Sequence, residues 1–103
     1  MAFLRHVVLV NLHFDESDPR TKEFFDETRK VYGTGAIPEV YEYHHYDQII
    51  GETDYRYGFV LDFLSEEDFD ICIKHPLALE YNEKYWNSTF LKDCLETNLI
   101  EFE

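Results

Sequence analysis

The sequence predicts an α+β fold in the ferredoxin-like order β-α-β-β-α-β, with one antiparallel sheet and helices over one of its faces. Two observations predict it: segments with the two-residue period of strands alternate with segments at helical spacing, and they do so in that order. A third is the dipeptide His75-Pro76, which interrupts the later helical segment because a residue before proline avoids helical geometry. At 103 residues, the chain is expected to form a single domain, residues 1–103.

The first predicted strand runs from Phe3 to Phe14. Its centre, Val7 to Val10, is apolar at every position, so we expect both faces of this strand to be covered. Alternation places one set of side chains on a single face: Leu4, His6, Val8, Val10 and Leu12.

A helix is predicted from Pro19, with Asp18 as its N-cap, to about Tyr32. Gly33 and Gly35 then favour its end. Side chains at helical spacing form one stripe that is wide enough to cover a sheet: Phe24, Phe25, Thr28, Val31 and Tyr32.

Two further strands are predicted, from Val40 to Gln48 and from Tyr55 to Leu64. The later one alternates regularly, so that one face carries Tyr57, Phe59, Leu61 and Phe63. His44 and His45 point to opposite faces of a strand and cannot bind one metal ion together. A site that joins His44 to Glu42 and another chain is the remaining metal alternative; interface histidines are the simpler account, and we expect no metal.

A helix is predicted to begin after Ser65, with Asp68 completing a start like a capping box, and to end near His75. Pro76 begins another helix, and a last strand runs from about Cys94 to Phe102. The sheet face away from the helices would be too apolar and aromatic for water. We therefore expect a homodimer that pairs through this open sheet face.

The charge balance is acidic, with nine Lys and Arg against twenty-two Asp and Glu and a formal charge of −13. This charge repels phosphate backbones, so nucleic acids and anionic membrane surfaces are not expected partners. The N-terminus lacks the long apolar run of a signal peptide, and no segment approaches the length of a membrane span. A cytoplasmic location is the resulting expectation.

Cofactor motifs are missing from the sequence: there is no phosphate-binding glycine loop, Ser-His-Asp order or zinc spacing. We therefore expect no cofactor. Cys72 and Cys94 lack CxxC spacing, and two reduced thiols are expected rather than a disulfide.

Several segments match those of a known protein family, in the same order and at similar spacing. They are Arg5 to Val10, Phe24-Phe25, Tyr57 to Ser65 before an acidic helix, Lys74-His75-Pro76, and Leu99 to Phe102. Over nearly the whole chain they resemble the stress-responsive A/B barrel (Dabb) family, a branch of the dimeric α+β barrel superfamily. The resemblance implies a homodimer whose two sheets form a barrel, with a pocket between each sheet and its own helices. Many members of the family are known only as stress-induced or uncharacterised proteins.

The family's clearest enzyme is a plant polyketide cyclase that works without a cofactor. Its motif is Tyr-x-x-His-Pro-x-His, in which the tyrosine and the final histidine do the acid–base work. This chain keeps His75 but has Cys72 and Ala78 at those two positions, so the resemblance argues against that mechanism here. The chain also retains His6, Phe24 and Phe25, and it has Thr28 where the family has an aromatic pocket residue in the first helix.

Two histidines are the candidate catalytic residues. His6 projects from an apolar strand face, and an imidazole titrates close enough to neutrality to act as a general base. A core histidine satisfied by one hydrogen bond is the simpler account of His6, since no partner carboxylate is visible in the sequence. For His75, a structural role at the helix break is the simpler account.

Three functional hypotheses follow. The first is a small-molecule binding or stress-associated protein whose apolar pocket is lined by His6, Val8, Val10, Phe24, Phe25, Thr28, Phe59, Leu61 and Cys72. The second is a cofactor-free lyase, cyclase, isomerase or monooxygenase on a polyketide-like or aromatic compound, with His6 or His75 as base. The third is a structural dimer without a ligand. An open cavity beside His6 without a second polar group would favour binding over catalysis.

Overall fold

The computed structural model describes residues 3–101, and their element order confirms the predicted ferredoxin-like α+β fold. The helical segment around His75 is divided into two helices, as the sequence predicts. The elements are β1 (Leu4–Leu12), α1 (Pro19–Tyr32), β2 (Glu42–Tyr46), β3 (Tyr57–Phe63), α2 (Glu66–Ile73), α3 (Pro76–Tyr85) and β4 (Leu91–Ile100).

The strands form a four-stranded sheet in the order β2-β3-β1-β4, and each neighbouring pair is antiparallel. β4 begins at Leu91 rather than at the predicted Cys94, because Leu91 pairs with Leu12 beyond a register shift at Asn11. The predicted end of this strand, Phe102, lies outside the described residues.

Side chains cap the helices where the sequence predicts their starts. Asp18 caps α1 and Ser65 caps α2, each accepting a hydrogen bond from a backbone N–H. At the break before Pro76, His75 is the N-cap of α3, and its Nδ1 accepts a hydrogen bond from the Leu77 N–H at 3.1 Å. None of the helices within residues 3–101 is long and apolar enough to cross a membrane.

The core lies between one face of the sheet and the helices. The inner faces of β1 and β3 and the stripe of α1 supply it, as their alternation and spacing predict. Seven of these side chains are at most 4% exposed: Leu4, Val8, Val10, Phe24, Phe59, Leu61 and Phe63.

The opposite, open face of the sheet carries an ion pair between the buried Asp62 and the half-exposed Arg5. Asp62 is only 2% exposed, and the Arg5 guanidinium donates to both of its carboxylate oxygens, at 2.8 and 3.0 Å. This pairing offsets the cost of withdrawing a carboxylate from water. Val7 and Leu9 on the same face stay partly exposed, because α1, α2 and α3 pack on the other side.

Candidate functional site

A cavity of about 60 Å³ lies between the sheet and the helices. Its sheet wall comes from neighbouring positions of three strands, brought side by side by the antiparallel register. These residues are His6 and Val8 of β1, Phe59, Leu61 and Phe63 of β3, and Glu96 of β4.

The helix wall of the cavity combines rings with two small side chains. Cys72 and Ala78, each 1% exposed, stand at the positions where the cyclase motif has its tyrosine and final histidine. Because both side chains are short, they leave space that larger residues would fill. The remaining helix-side residues are Tyr32, Phe69, Ile73, Tyr81, Asn82 and Trp86.

His6 is the titratable ring of the cavity wall, with 13% of its side chain exposed. Its Nδ1 lies 2.7 Å from Oδ1 of Asn98, and an amide oxygen only accepts hydrogen bonds, so Nδ1 carries a proton and donates. Nε2 is then the basic nitrogen of the neutral ring. It lies 3.4 Å from Oε1 of Glu96, a carboxylate placed to stabilise the ring once Nε2 takes up a proton.

Asn98 and Glu96 flank the His6 ring, and the sequence alone did not reveal either of them as its partner. Asn98 lies directly opposite His6 in the β1–β4 ladder, and Glu96 lies opposite Val8 on the same face. A strand sequence does not state its register, so neither residue could be assigned as a partner. The alternation of β4 would have placed both on one face once its pairing with β1 was known.

Five of the predicted site residues line the cavity: His6, Val8, Phe59, Leu61 and Cys72. Val10, Phe24 and Phe25 lie farther along the same layer, in a region we call the packed end, which is completed by Tyr85 and Phe90. We call the region around the cavity the cavity end; it is formed by His6, Tyr32, Phe69, Cys72 and Ala78.

Rings fill the packed end. Phe24 is 0% exposed and has ring contacts with Phe25, Tyr85 and Phe90 at centroid separations of 5.1, 6.2 and 6.2 Å. Phe25 in turn packs on Tyr57 at 4.9 Å. These side chains therefore hold α1 and α3 on the sheet rather than border the cavity.

The side chains of Thr28 and His75 form hydrogen bonds within and between the helices. The Thr28 hydroxyl donates to the Phe24 carbonyl at 2.7 Å and accepts a hydrogen bond from the Tyr81 hydroxyl. His75 caps α3 through Nδ1 and lies outside the cavity lining. The helix-break role that the sequence favoured for His75 matches this placement, while the catalytic roles of both histidines stay predictions.

Burial controls the other ionisable groups of the cavity end. It raises the pKa of the Cys72 thiol to about 12, and the Glu39 carboxylate adds to the effect. Burial also raises the pKa of Tyr32, with further contributions from negative charge at Cys72 and Glu96. Both groups are therefore neutral near pH 7, and Cys72 is a thiol rather than a nucleophilic thiolate.

A wider groove of about 330 Å³ lies between the outer faces of α1 and α3. Four charged side chains of both signs border it: Glu27, Lys30, Glu80 and Lys84. The wall of the smaller cavity contains one carboxylate, Glu96, where the groove has four charged side chains, so the cavity is the better candidate site for a neutral ligand.

One cluster on the open sheet face has the geometry of metal ligands. Glu42, His44 and Asp62 offer ligand atoms within 4.8 Å of one another. However, both oxygens of Asp62 already accept hydrogen bonds from Arg5, whose positive charge opposes a metal ion there. The arrangement therefore fits an ion-pair network better than a metal centre.

Comparison with known proteins identifies the fold. No protein-family model matches the chain, and no curated protein sequence does either. Among solved structures, a dabb family protein with a ferredoxin-like fold from Mesorhizobium loti has a TM-score of 0.88 and 20% identity, and the match covers 100% of both chains.

Two further structures have the same arrangement over nearly their full lengths. Hydroxynitrile lyase from Passiflora edulis has a TM-score of 0.83 and 18% identity, covering 99% of this chain and 95% of the lyase. A dimeric ferredoxin-like protein of unknown function from Thermobifida fusca has a TM-score of 0.77 and 18% identity, covering 97% of this chain and 92% of that one. These likenesses confirm the family resemblance at the level of the fold: the chain has the ferredoxin-like α+β fold of a Dabb family protein.

Proposed function

We propose that the cavity binds a small neutral molecule that is mostly apolar and carries one polar group toward His6. The observation that carries the proposal is the cavity itself, whose walls are largely aromatic and aliphatic, with the His6 imidazole, the Asn82 amide and the Glu96 carboxylate as polar groups. Apolar enclosure supplies affinity, and a single polar group fixes the orientation of a ligand.

The size of the cavity limits the ligand. A water molecule needs roughly 10–15 Å³ of such space, and an engineered apolar cavity of about 150 Å³ admits benzene. At about 60 Å³, the cavity holds an aliphatic compound of a few non-hydrogen atoms. An aromatic ring would require Phe69 or Trp86 to move, and a polyketide chain fits less well still.

Trp86, the chain's only tryptophan, borders the cavity and provides the signal for a binding experiment. We expect 2-butanone to change its fluorescence saturably and acetophenone to bind more weakly. Ala78→Leu adds three carbon atoms inside the cavity and should weaken 2-butanone binding at least about tenfold. Leu79→Phe is the matched control, because Leu79 is 54% exposed on the same helix.

Two results would contradict the binding proposal. One is equal affinity for 2-butanone in the wild type and in folded Ala78→Leu. The other is no saturable binding to the wild type of either ketone, which would favour the structural dimer without a ligand.

General-base catalysis is the second candidate function, and the observation that favours it is the Asn98–His6–Glu96 arrangement. Asn98 fixes the tautomer in which Nε2 is basic, and Glu96 would stabilise the charged ring. One of the solved structures with this fold is a hydroxynitrile lyase, which makes small hydroxynitriles the first substrates to test.

The chemistry of such a cleavage is within reach of one histidine. Nε2 of His6 would take the hydroxyl proton, the bond to the nitrile carbon would break with its electron pair leaving as cyanide, and a carbonyl would form. Cyanide would then take the proton back from Nε2 and leave as hydrogen cyanide. Acetone cyanohydrin fits the cavity better than mandelonitrile, because it lacks an aromatic ring.

Two matched variants separate this candidate from simple binding. His6→Gln should lower cyanide release from acetone cyanohydrin by about 100-fold or more, as expected when a general base is lost. His75→Gln should leave the rate unchanged. Equal rates in His6→Gln and the wild type would exclude His6 as the base.

We also propose that a second copy of the chain covers the open sheet face. Several solved structures with this fold are described as dimeric. Leu95 and Leu99, 47% and 55% exposed, lie opposite Leu9 and Arg5 in the β1–β4 ladder and extend the apolar area of this face. Burying such an area in a symmetric dimer removes it from water.

Sedimentation tests the dimer directly. We expect the wild type to sediment as a dimer and Leu95→Lys to shift the equilibrium toward the monomer. Ile50→Lys is the control, because Ile50 is 91% exposed in a loop away from the sheet. A monomeric wild type, or equal behaviour of the two variants, would contradict this interface.

A further inference from the structure

Tyr32, the last residue of α1, is fixed by packing at the cavity end. It is 8% exposed, and its ring lies nearly parallel to Phe59 at 6.3 Å and edge-on to Tyr81 at 5.5 Å. Two ring contacts and burial restrict the side chain, so its hydroxyl has a defined position. The sequence indicated Tyr32 only as part of the helix stripe.

The Tyr32 hydroxyl has no protein partner among residues 3–101, unlike the hydroxyls of the buried Tyr81 and Tyr85. Tyr81 donates to Thr28, and Tyr85 donates to Glu23 at 3.1 Å. Within the described residues, no fully enclosed side-chain nitrogen or oxygen lacks a hydrogen-bond partner. The Tyr32 hydroxyl therefore keeps some accessible surface, and Tyr32 is one of the residues that line the cavity.

The surroundings make this hydroxyl a neutral donor. Burial raises its pKa, and the nearby Glu96 carboxylate adds to the effect, so the proton stays on the oxygen. Glu96 is also the carboxylate beside Nε2 of His6, so the Tyr32 hydroxyl and the His6 ring share Glu96 as a neighbour. A ligand oxygen placed in the cavity would accept a hydrogen bond from the Tyr32 hydroxyl, and a hydroxy compound would also donate to Nε2 of His6.

We propose that the Tyr32 hydroxyl recognises an oxygen acceptor of the ligand, so that the cavity selects small neutral carbonyl or hydroxy compounds over hydrocarbons of the same shape. This inference rests on the proposed binding function and names its ligand class. A neutral compound fits because apolar walls penalise an unpaired charge. An anion is opposed further by Glu96, which borders the same space.

The test compares two ligands of nearly equal shape, 2-butanone and 2-methyl-1-butene. The alkene has a methylene group where the ketone has its carbonyl oxygen. Tyr32→Phe should weaken 2-butanone binding by about 3- to 10-fold, the effect of one lost hydrogen bond. Its affinity for 2-methyl-1-butene should stay unchanged. Tyr85→Phe is the control, because Tyr85 lies outside the cavity lining and its hydroxyl already donates to Glu23, and it should not alter the ratio of the two affinities.

A second measurement uses only the wild type and Tyr32→Phe, with 2-butanone labelled at the carbonyl carbon. A donated hydrogen bond should move the ¹³C resonance of the bound ketone downfield in the wild type, and the shift should be absent in the variant. A resonance at its hydrocarbon-solvent position in the wild type would overturn the proposal.

The outcomes also separate this inference from the proposed function. If both ligands bind the wild type and Tyr32→Phe with the same affinities, the cavity binds ligands but Tyr32 does not select them. If Tyr32→Phe weakens both ligands equally, the residue acts through packing alone and the inference is wrong. If neither ligand binds the wild type, the binding function fails, and the inference fails with it.

Discussion

The packed end and the cavity end are built from the same strands and helices, yet only the cavity end leaves space. At the packed end, Phe24 meets several rings, and its neighbour Val10 is 0% exposed. At the cavity end, the helices instead contribute two short side chains, Cys72 and Ala78. The comparison indicates that side-chain size along the helices, rather than the fold, decides where the layer between sheet and helices can accept a ligand.

The two ends also differ in how their polar groups are satisfied. Near the packed end, the Thr28 hydroxyl is bonded to the Phe24 carbonyl and to Tyr81. At the cavity end, Tyr32 has a hydroxyl without a protein partner among the described residues, and His6 has a basic nitrogen beside a half-exposed carboxylate, Glu96. The packed end therefore contributes stability, and the cavity end keeps groups that a ligand can use.

The largest effect that we expect is on stability, from a substitution at the packed end. Phe24→Ala removes a fully buried ring and should lower the free energy of unfolding by about 3–5 kcal/mol, measured by urea denaturation. Phe69→Ala, at the cavity end, should cost less, because Phe69 is partly exposed and borders existing space. An equal or larger loss of unfolding free energy in Phe69→Ala would contradict the difference between the packed end and the cavity end.

Phe24→Leu provides a folded protein if the alanine variant does not fold. Leucine keeps most of the apolar contact area, so the loss of stability should be smaller than for alanine. Because Phe24 does not border the cavity, this variant should bind 2-butanone as tightly as the wild type. A weakened affinity in a protein of native fold would show that the two ends are not independent.

The sequence predicted the order of strands and helices along the chain, the helix break and the sheet wall of the cavity, because these depend on local patterns. Alternation grouped His6 with Val8 and Phe59 with Leu61, the resemblance placed the His6 face toward the pocket, and proline geometry divided α2 from α3. The resemblance added Cys72, which borders the cavity.

The division into two ends depends on contacts between distant segments and could not be predicted. Phe24 and Tyr32 belong to one helix stripe and share Tyr81 as a ring partner, yet only Phe24 also meets Tyr85, and only Tyr32 borders the cavity beside Ala78. The partners of His6 required the register of β4, which a strand sequence does not contain. Pattern therefore predicts which face is buried, and packing decides what remains open.

The smallest effect that we expect is a change in how stability depends on pH, and it arises at the cavity end. Burial raises the pKa of Cys72 from 9.0 to about 12, so the folded protein keeps this proton at a pH where the unfolded chain has lost it. The stability that the buried thiol contributes is therefore complete below pH 9.0 and is lost as the pH rises toward about 12. Cys72→Ala should remove this dependence.

Urea denaturation of the wild type and Cys72→Ala, from neutral pH to about pH 10, measures the difference. Over that interval the wild type should lose about 1.4 kcal/mol more than the variant, since pH 10 lies one unit above the unfolded pKa of 9.0 and one unit corresponds to about 1.4 kcal/mol. Tyrosines affect both proteins alike, so the difference isolates Cys72. Cys94→Ala is the control, because Cys94 is exposed and its substitution should alter the pH dependence less. Identical pH dependence in the wild type and Cys72→Ala would mean that the thiol is hydrated through the cavity, and the cavity end would then be a water-filled site rather than an apolar one.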